Sequence, residues 1–95
     1  MSTKYTLGID FGTLSGRAVL VSVSDGVQIA SEVREYRSGV ISGVLPSTGE
    51  KLPDGWALQD PSDYVDVLAA VVPGVLAKAG VSPDDVIGVG VDFTS

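Results

Sequence analysis

The chain contains no cysteine and no histidine among its 95 residues. Without cysteine it can form neither a disulfide framework nor a thiolate metal site. Without histidine it lacks the base of the Ser-His-Asp triads and the usual ligand of zinc sites. These two absences exclude large classes of enzymes and metalloproteins.

Basic residues are also few. Six lysines and arginines stand against twelve aspartates and glutamates, which gives a net charge of −6 and makes nucleic acid a poor partner. No apolar run approaches the ~18 residues of a membrane span. Residues 1–5 lead directly into a strand pattern without the apolar core of a signal peptide. We therefore expect a cytoplasmic protein with neither nucleic-acid nor membrane partners.

What is present is enough apolar sequence for one small domain, or part of one, since 44% of the residues are hydrophobic. Residues 5–11 alternate apolar and polar and predict a first strand. Residues 18–23 predict a second, nearly apolar strand, and the short connection allows only antiparallel pairing. Residues 27–36 predict a more polar third strand toward the edge of the sheet.

Residues 37–59 have no sustained period and are too long for a simple loop in a compact domain. We expect an ordered excursion that hints at a functional surface. Within it, Trp56 is interpreted as a packing anchor, with a sugar-stacking platform as the alternative. Because residues 37–59 are interrupted by glycines and prolines, no helix or strand is predicted there.

One long amphipathic helix is predicted over residues 61–79, where apolar residues recur at spacings of three and four. Asp60 is a suitable N-cap, Pro61 a suitable first residue and Gly80 a suitable C-terminal cap. Pro73 removes one backbone donor. We therefore expect a single helix with a kink at Pro73.

Residues 86–91 predict a last strand that is apolar on both faces, as expected for a strand buried within a sheet. The long helix can return the chain for a parallel fourth strand. The predicted order is thus β-β-β-α-β, an α/β fold with three antiparallel strands and one crossover helix. Because no closing helix follows the last strand, we expect a truncated domain.

The stretch most informative about function is residues 8–17, where an apolar strand ends on Asp10. A buried strand tolerates such a charge only beside a metal ion, hydrogen-bond donors or a ligand. Gly12 and Gly16 lie four residues apart, with Thr13 between them and Ser15 beside the second glycine. Backbone N–H groups in such a turn can converge on one anion. We predict that the turn holds nucleotide phosphates and that Asp10 faces the accompanying Mg²⁺.

Other motifs fit less well. A P-loop needs four residues between its glycines, then lysine and a helix, whereas three residues and a strand are found here. The Gly88-Val89-Gly90 segment lacks the third glycine and the helix of a dinucleotide fingerprint. Residues 10–13 match three of four positions of the aspartic protease motif, but a 19-residue helix is foreign to that fold. A plain hairpin in which Asp10 caps its own turn also remains open.

With the β-β-β-α-β order, Gly-Ile-Asp-Phe-Gly-Thr-Leu-Ser-Gly-Arg-Ala at residues 8–18 resembles the first phosphate motif of the actin-like ATPase superfamily. Within that superfamily it is similar to the opening of the FGGY carbohydrate kinases. Residues 55–61 and 90–95 resemble further segments of that family. The resemblance covers essentially the whole chain. It implies that residues 1–95 are the N-terminal part of a first domain with a ribonuclease H-like, actin-like ATPase fold.

The resemblance further implies transfer of the γ-phosphoryl group of ATP to a hydroxyl of a small sugar, for instance a ketopentose. Asp10 would hold Mg²⁺ through water. The N–H groups of Gly12 and Thr13 and the hydroxyls of Thr13 and Ser15 would face the ATP phosphates. Arg17 would offset charge at the γ-phosphate.

On the sugar side, Ser95 falls where related kinases place a sugar-contacting residue, and Asp92 is a second candidate. The catalytic base and the adenine site come from later segments of such kinases. We therefore expect the 95-residue chain itself to be inactive.

Alternative interpretations remain for several residues. Arg17 can simply pair with Asp10 or Asp92, and Asp92 can serve its own turn. Ser95 is an exposed terminal residue whatever else it does. The whole chain can also be a non-catalytic nucleotide-binding module of the same fold, or one that forms homo-oligomers through an exposed sheet edge.

Overall fold

One four-stranded sheet and one long helix make up the fold. A computed structural model describes residues 3–93. The strands lie in the order β3-β2-β1-β4, with β1–β2 and β2–β3 antiparallel and β1–β4 parallel. This arrangement confirms the predicted β-β-β-α-β order. The elements are β1 (Tyr5–Phe11), β2 (Ser15–Ser22), β3 (Gln28–Glu35), α1 (Pro61–Ala79), a 3-10 turn (Pro83–Asp85) and β4 (Val86–Phe93).

The sheet has one covered face and one open face. Leu7, Ile9 and Phe11 of β1 are buried, while the residues between them point to the opposite face. β2 begins at Ser15, earlier than the predicted residue 18, because pairing continues to the Phe11–Gly16 pair beside the tight turn. The apolar pattern marks only the nearly apolar part of β2.

The helix α1 begins and ends as predicted. The Asp60 carboxylate accepts hydrogen bonds from the Ser62 hydroxyl at 2.8 Å and the Ser62 N–H at 2.9 Å, and these bonds hold the pKa of Asp60 below its ordinary value. Gly80 adopts the left-handed conformation, with φ of 68°, that glycine accommodates most easily. The helix continues through Pro73. The prediction of one helix rather than two is confirmed.

The core lies between α1 and the covered face of the sheet. Helix side chains one turn apart pack on the alternating side chains of the strands. One interface therefore buries both the apolar stripe of the helix and the apolar face of the sheet. Its buried members are Leu7, Ile9, Phe11, Ala18, Leu20, Tyr36, Val67, Val71, Val75 and Leu76.

The position of β4 differs from the prediction that it is buried within the sheet. It pairs with β1 and forms an edge of the described sheet, and α1 packs mainly over β2 and β3. Four apolar side chains therefore remain between 54% and 63% exposed. They alternate along the strand and share the face that α1 partly covers. These side chains are Ile87, Val89, Val91 and Phe93.

Residues 37–59 form the expected ordered excursion without long strands or helices. Isolated bridges join Ile41 to Leu58 and Val44 to Lys51, and Leu52 is buried. Trp56 leaves 54% of its surface exposed, so the interpretation of this residue as a packing anchor is wrong. The excursion folds back through these two bridges, and the Trp56 indole stays largely exposed to solvent. The helices of residues 3–93 include none with the length and hydropathy of a membrane span.

Candidate functional site

A row of three charged residues crosses the open face of the sheet near the turn between β1 and β2. Asp10 of β1 is the register partner of Arg17 on β2 and of Asp92 on β4. All three are exposed. Within residues 3–93, Arg17 makes no ion pair with either carboxylate within 4.0 Å. The guanidinium is thus available to an anion, and neither carboxylate is neutralised by it through close contact.

Beside this row lies a shallow depression of about 380 Å³ on the open face. Gly8 and Gly90 contribute to its floor, and a Cβ added at either glycine would meet no atom within 4 Å. Asp10 and Asp92 also line it. The Asp92 carboxylate also accepts a hydrogen bond from the Phe93 N–H at 2.9 Å, so it serves its own strand end as well.

These two carboxylates fit a hard divalent cation by their chemistry. Parallel strands β1 and β4 bring Asp10 and Asp92 side by side at the same end of the sheet. No group of three or more potential metal-ligating side chains occurs within residues 3–93. Mg²⁺ commonly uses one or two protein carboxylates and keeps several waters, so a pair of carboxylates suits it.

The turn itself exposes two backbone donors. The Gly12 N–H donates to the Ser15 carbonyl at 2.9 Å, so this amide is engaged within the hairpin. The N–H groups of Thr13 and Leu14, in contrast, have no acceptor within residues 3–93. Thr13 is exposed and Ser15 is half-buried, so a ligand can reach both hydroxyls. Of the two amides expected to face phosphates, that of Gly12 is engaged within the hairpin and that of Thr13 is not, and Leu14 carries a second unengaged amide among the described residues.

Gly16 has a different role from the one that its place in the motif suggested. It lies in β2 and not in the turn. A Cβ on Gly16 would come within 2.5 Å of the Val67 Cγ1 atom of α1. The second glycine of the motif therefore lets the helix approach the sheet.

The carbonyl groups of the turn are all held by residues distant in the sequence. The Tyr36 hydroxyl donates to the Gly12 carbonyl at 2.7 Å, and the Tyr36 N–H donates to the Leu14 carbonyl at 3.0 Å. The Gln59 amide Nε2 donates to the Thr13 carbonyl at 2.8 Å. Neither Tyr36 nor Gln59 was predicted from the sequence as a site residue. Gln59 lies in the 55–61 motif, which was the one signal that pointed to it.

An aromatic cluster beneath the turn supports the two donors. Tyr36 is a member of the cluster, and Gln59 is hydrogen-bonded to another member, Tyr64. The Phe11 ring lies 5.1 Å from Tyr64 and stacks on Phe93 at 5.0 Å, and Tyr36 meets Tyr64 edge to face at 5.5 Å. Burial raises the pKa of the Tyr36 hydroxyl, and the nearby Tyr64, Asp10 and Asp63 raise it further. Tyr36 therefore stays protonated, and remains a hydrogen-bond donor to the turn, throughout the neutral range. The contribution of Tyr36 to the free energy of unfolding declines only as the pH rises above about 10, where an unfolded tyrosine ionises.

Ser95, the expected sugar-contacting residue, lies outside the described residues 3–93. The second candidate sugar contact, Asp92, is the one charged residue of β4 and lies beside Asp10. The structure thus brings Asp10, Asp92, Arg17 and the turn to one end of the sheet.

Comparison with known proteins confirms the resemblance that the motif predicted. The sequence is 57% identical over all 95 residues to the ribulokinase of Halalkalibacterium halodurans, and covers 17% of that protein. It is 50% identical over 93 residues to the ribulokinase of Mycolicibacterium smegmatis, of which it covers 16%. No family model matches the sequence. As these coverages show, the chain spans about one sixth of the length of the two ribulokinases.

The fold is also found among solved structures. The crystal structure of gluconate kinase from Lactobacillus acidophilus matches 98% of this chain with a TM-score of 0.72 and 22% identity. The match covers 16% of that kinase. This likeness confirms the predicted fold class, an α/β domain with a mixed sheet of the sugar-kinase type.

Proposed function

We propose that this chain is the N-terminal segment of an ATP-dependent sugar kinase of the FGGY family, of the ribulokinase type, and the first part of its first actin-like domain. The observation that carries the proposal is 57% identity to a ribulokinase along the entire chain. The reaction would transfer the γ-phosphoryl group of ATP to a hydroxyl of a ketopentose such as L-ribulose. We place the parent protein in the cytoplasm.

The turn would bind the nucleotide phosphates. The free N–H groups of Thr13 and Leu14 and the hydroxyls of Thr13 and Ser15 offer donors at one end of the sheet. Arg17, exposed on the adjacent strand, adds positive charge. Phosphoryl transfer depends on positioning and charge neutralisation more than on covalent chemistry, so these donors supply what the reaction needs from this segment.

Asp10 and Asp92 would hold the Mg²⁺ ion that accompanies ATP, with Asp10 acting through water. When bound, such an ion neutralises charge on the phosphates. Asp10 lies in the centre of the charged row, between a carboxylate and a guanidinium, and is exposed to the open face. Its part is to fix the position of the cation relative to the turn.

The sugar would bind near the end of β4, with Ser95 as the first candidate contact and Asp92 as a second, in addition to its place beside the cation. Because the chain covers 17% of a relative's length, most of the sugar pocket, the adenine site and the general base are expected in other parts of the parent protein. The 95-residue chain alone is therefore expected not to phosphorylate sugars.

The test is an ADP-release assay of the full-length parent protein with ATP, Mg²⁺ and L-ribulose. We expect ADP release that requires the sugar, and none from the 95-residue chain at equal concentration. A parent protein that releases no ADP above a control without sugar would contradict the proposed reaction. Activity in the 95-residue chain would contradict the assignment of the general base to another segment.

A further inference from the structure

The two unengaged amides of the turn, those of Thr13 and Leu14, take their direction from the peptide groups to which they belong. In a trans peptide bond the C=O and the following N–H lie in one plane and point in opposite directions. No cis peptide bond occurs within the described residues. The Gly12 carbonyl therefore sets the direction of the Thr13 N–H. In the same way, the Thr13 carbonyl sets the direction of the Leu14 N–H.

Each of these two carbonyls has one side-chain donor. The Tyr36 hydroxyl binds the Gly12 carbonyl at 2.7 Å, and the Gln59 Nε2 atom binds the Thr13 carbonyl at 2.8 Å. By drawing the Thr13 carbonyl toward itself, Gln59 turns the Leu14 N–H away from itself. The direction of the Leu14 amide is thus fixed by a residue 45 positions later in the sequence.

Gln59 is itself held in place from both sides. Its Oε1 atom accepts a hydrogen bond from the Tyr64 hydroxyl, which leaves Nε2 to face Thr13. Gln59 directly precedes Asp60, the N-cap of α1. The start of the helix and the aromatic cluster therefore fix the position of the Gln59 amide group. Gln59 in turn orients the Thr13–Leu14 peptide.

We propose that Gln59 is a positioning residue for nucleotide binding, which aims the Leu14 N–H at the polyphosphate of the nucleotide. The proposal rests on the proposed function, because it assigns a polyphosphate ligand to the turn. Gln59 does not touch the ligand and acts through the Thr13–Leu14 peptide. Without its donor, this peptide is free to rotate, and one charge-assisted hydrogen bond to the ligand weakens.

The first experiment uses the full-length parent kinase. Gln59→Met keeps the length of the side chain but removes the donor, and we expect the KM for ATP to rise roughly tenfold while the KM for the sugar stays unchanged. The matched control is Gln28→Met, at an exposed glutamine of β3, which should leave both constants unchanged. A Gln59→Met enzyme with an unchanged KM for ATP, or with equal rises in both KM values, would overturn the proposal.

A double-mutant cycle separates positioning from general destabilisation. Tyr64→Phe removes the hydroxyl that holds Gln59, so it should raise the KM for ATP in the same direction but less. Adding Tyr64→Phe to Gln59→Met should have no further effect, because the path through Gln59 is already broken. Additive effects of the two substitutions would contradict a shared path.

The second experiment is independent of catalysis and uses the 95-residue chain. In ¹H–¹⁵N NMR titrations with inorganic tripolyphosphate, the amide resonances of Thr13 and Leu14 should shift in the wild type and in Gln28→Met. In Gln59→Met the Leu14 shift should be lost. A wild type whose turn amides do not respond, or a Gln59→Met chain that responds normally, overturns the positioning role. A parent protein without kinase activity, but with this NMR pattern, would overturn the proposed reaction alone.

Discussion

At the scale of single residues, Asp10 has the most consequential position. It follows the buried Ile9 and precedes the buried Phe11, yet its own side chain faces the open side of the sheet. The strand therefore tolerates the carboxylate without a buried-charge penalty, and the side chain is free for a cation. Arg17 and Asp92, its partners on both neighbouring strands, surround it with one charge of each sign.

In the proposed full-length kinase, Asp10→Ala should lower kcat by at least about 10²-fold, the scale seen when one electrostatic group is removed from an active site. The physical reason is the lost position of Mg²⁺ relative to the phosphates. The measurement is steady-state kinetics with saturating ATP and sugar. Asp54→Ala, at an exposed aspartate of the 37–59 excursion, is the matched control and should leave kcat unchanged. An Asp10→Ala enzyme with wild-type kcat would remove Asp10 from the mechanism.

At the scale of elements, the contact between α1 and β2 decides how the site is supported. Gly16 lies in β2 directly beneath Val67, and the helix sits close enough that a single added methyl group would clash. Since β2 also carries Arg17 and borders the turn, this packing fixes one side of the site. A glycine that looks like part of the phosphate motif is therefore also a packing residue.

Gly16→Ala should lower the free energy of unfolding by about 1–3 kcal/mol, because overpacking forces the helix or the strand to move. Gly8→Ala is the matched control: Gly8 lies in β1, where an added Cβ meets no atom within 4 Å, and we expect a change within about 0.5 kcal/mol. Chemical denaturation followed by circular dichroism measures both. Equal stability of the two variants would refute the close approach of α1 at Gly16.

At the scale of the whole molecule, the main feature is that the apolar side chains of β4 remain exposed. Ile87, Val89, Val91 and Phe93 form an apolar row on an edge strand. Two β4 strands paired antiparallel about Gly90 would place Val89 opposite Val91 and Ile87 opposite Phe93. The same register puts each Asp92 opposite a Gly88, so the carboxylates stay apart. The strand is thus complementary to a second copy of itself.

We predict that the 95-residue chain dimerises through β4 in a concentration-dependent way, measured by multi-angle light scattering. Val89→Lys places a charge in the apolar row and should keep the chain monomeric. Val65→Lys changes an equally exposed valine on α1 and should leave the dimer intact. A wild-type chain that stays monomeric at high concentration would contradict pairing through this edge.

Local sequence determined the elements of this protein and much of its site. The apolar alternation of residues 5–11 gave the first strand its bounds, because every second side chain is buried. Asp60, Pro61 and Gly80 set the ends of the helix, because capping depends on residues adjacent to the helix ends. Two members of the charged row followed from local sequence, Asp10 near the end of an apolar strand and Arg17 just beyond the turn, whereas Asp92 joins the row only through the pairing of β4 with β1.

Only the tertiary structure decided how the turn is oriented and which strand is exposed. The donors that hold the turn, Tyr36 and Gln59, lie 24 and 46 residues from the carbonyls that they bind, and no local pattern encodes such pairs. The apolar sequence of β4 predicted burial but could not show which neighbour would cover it. Strand periodicity records which side chains share a face, whereas coverage of that face depends on where α1 packs. Asp10 and its turn were thus recognisable from the sequence, and the fold alone determined which amides they present.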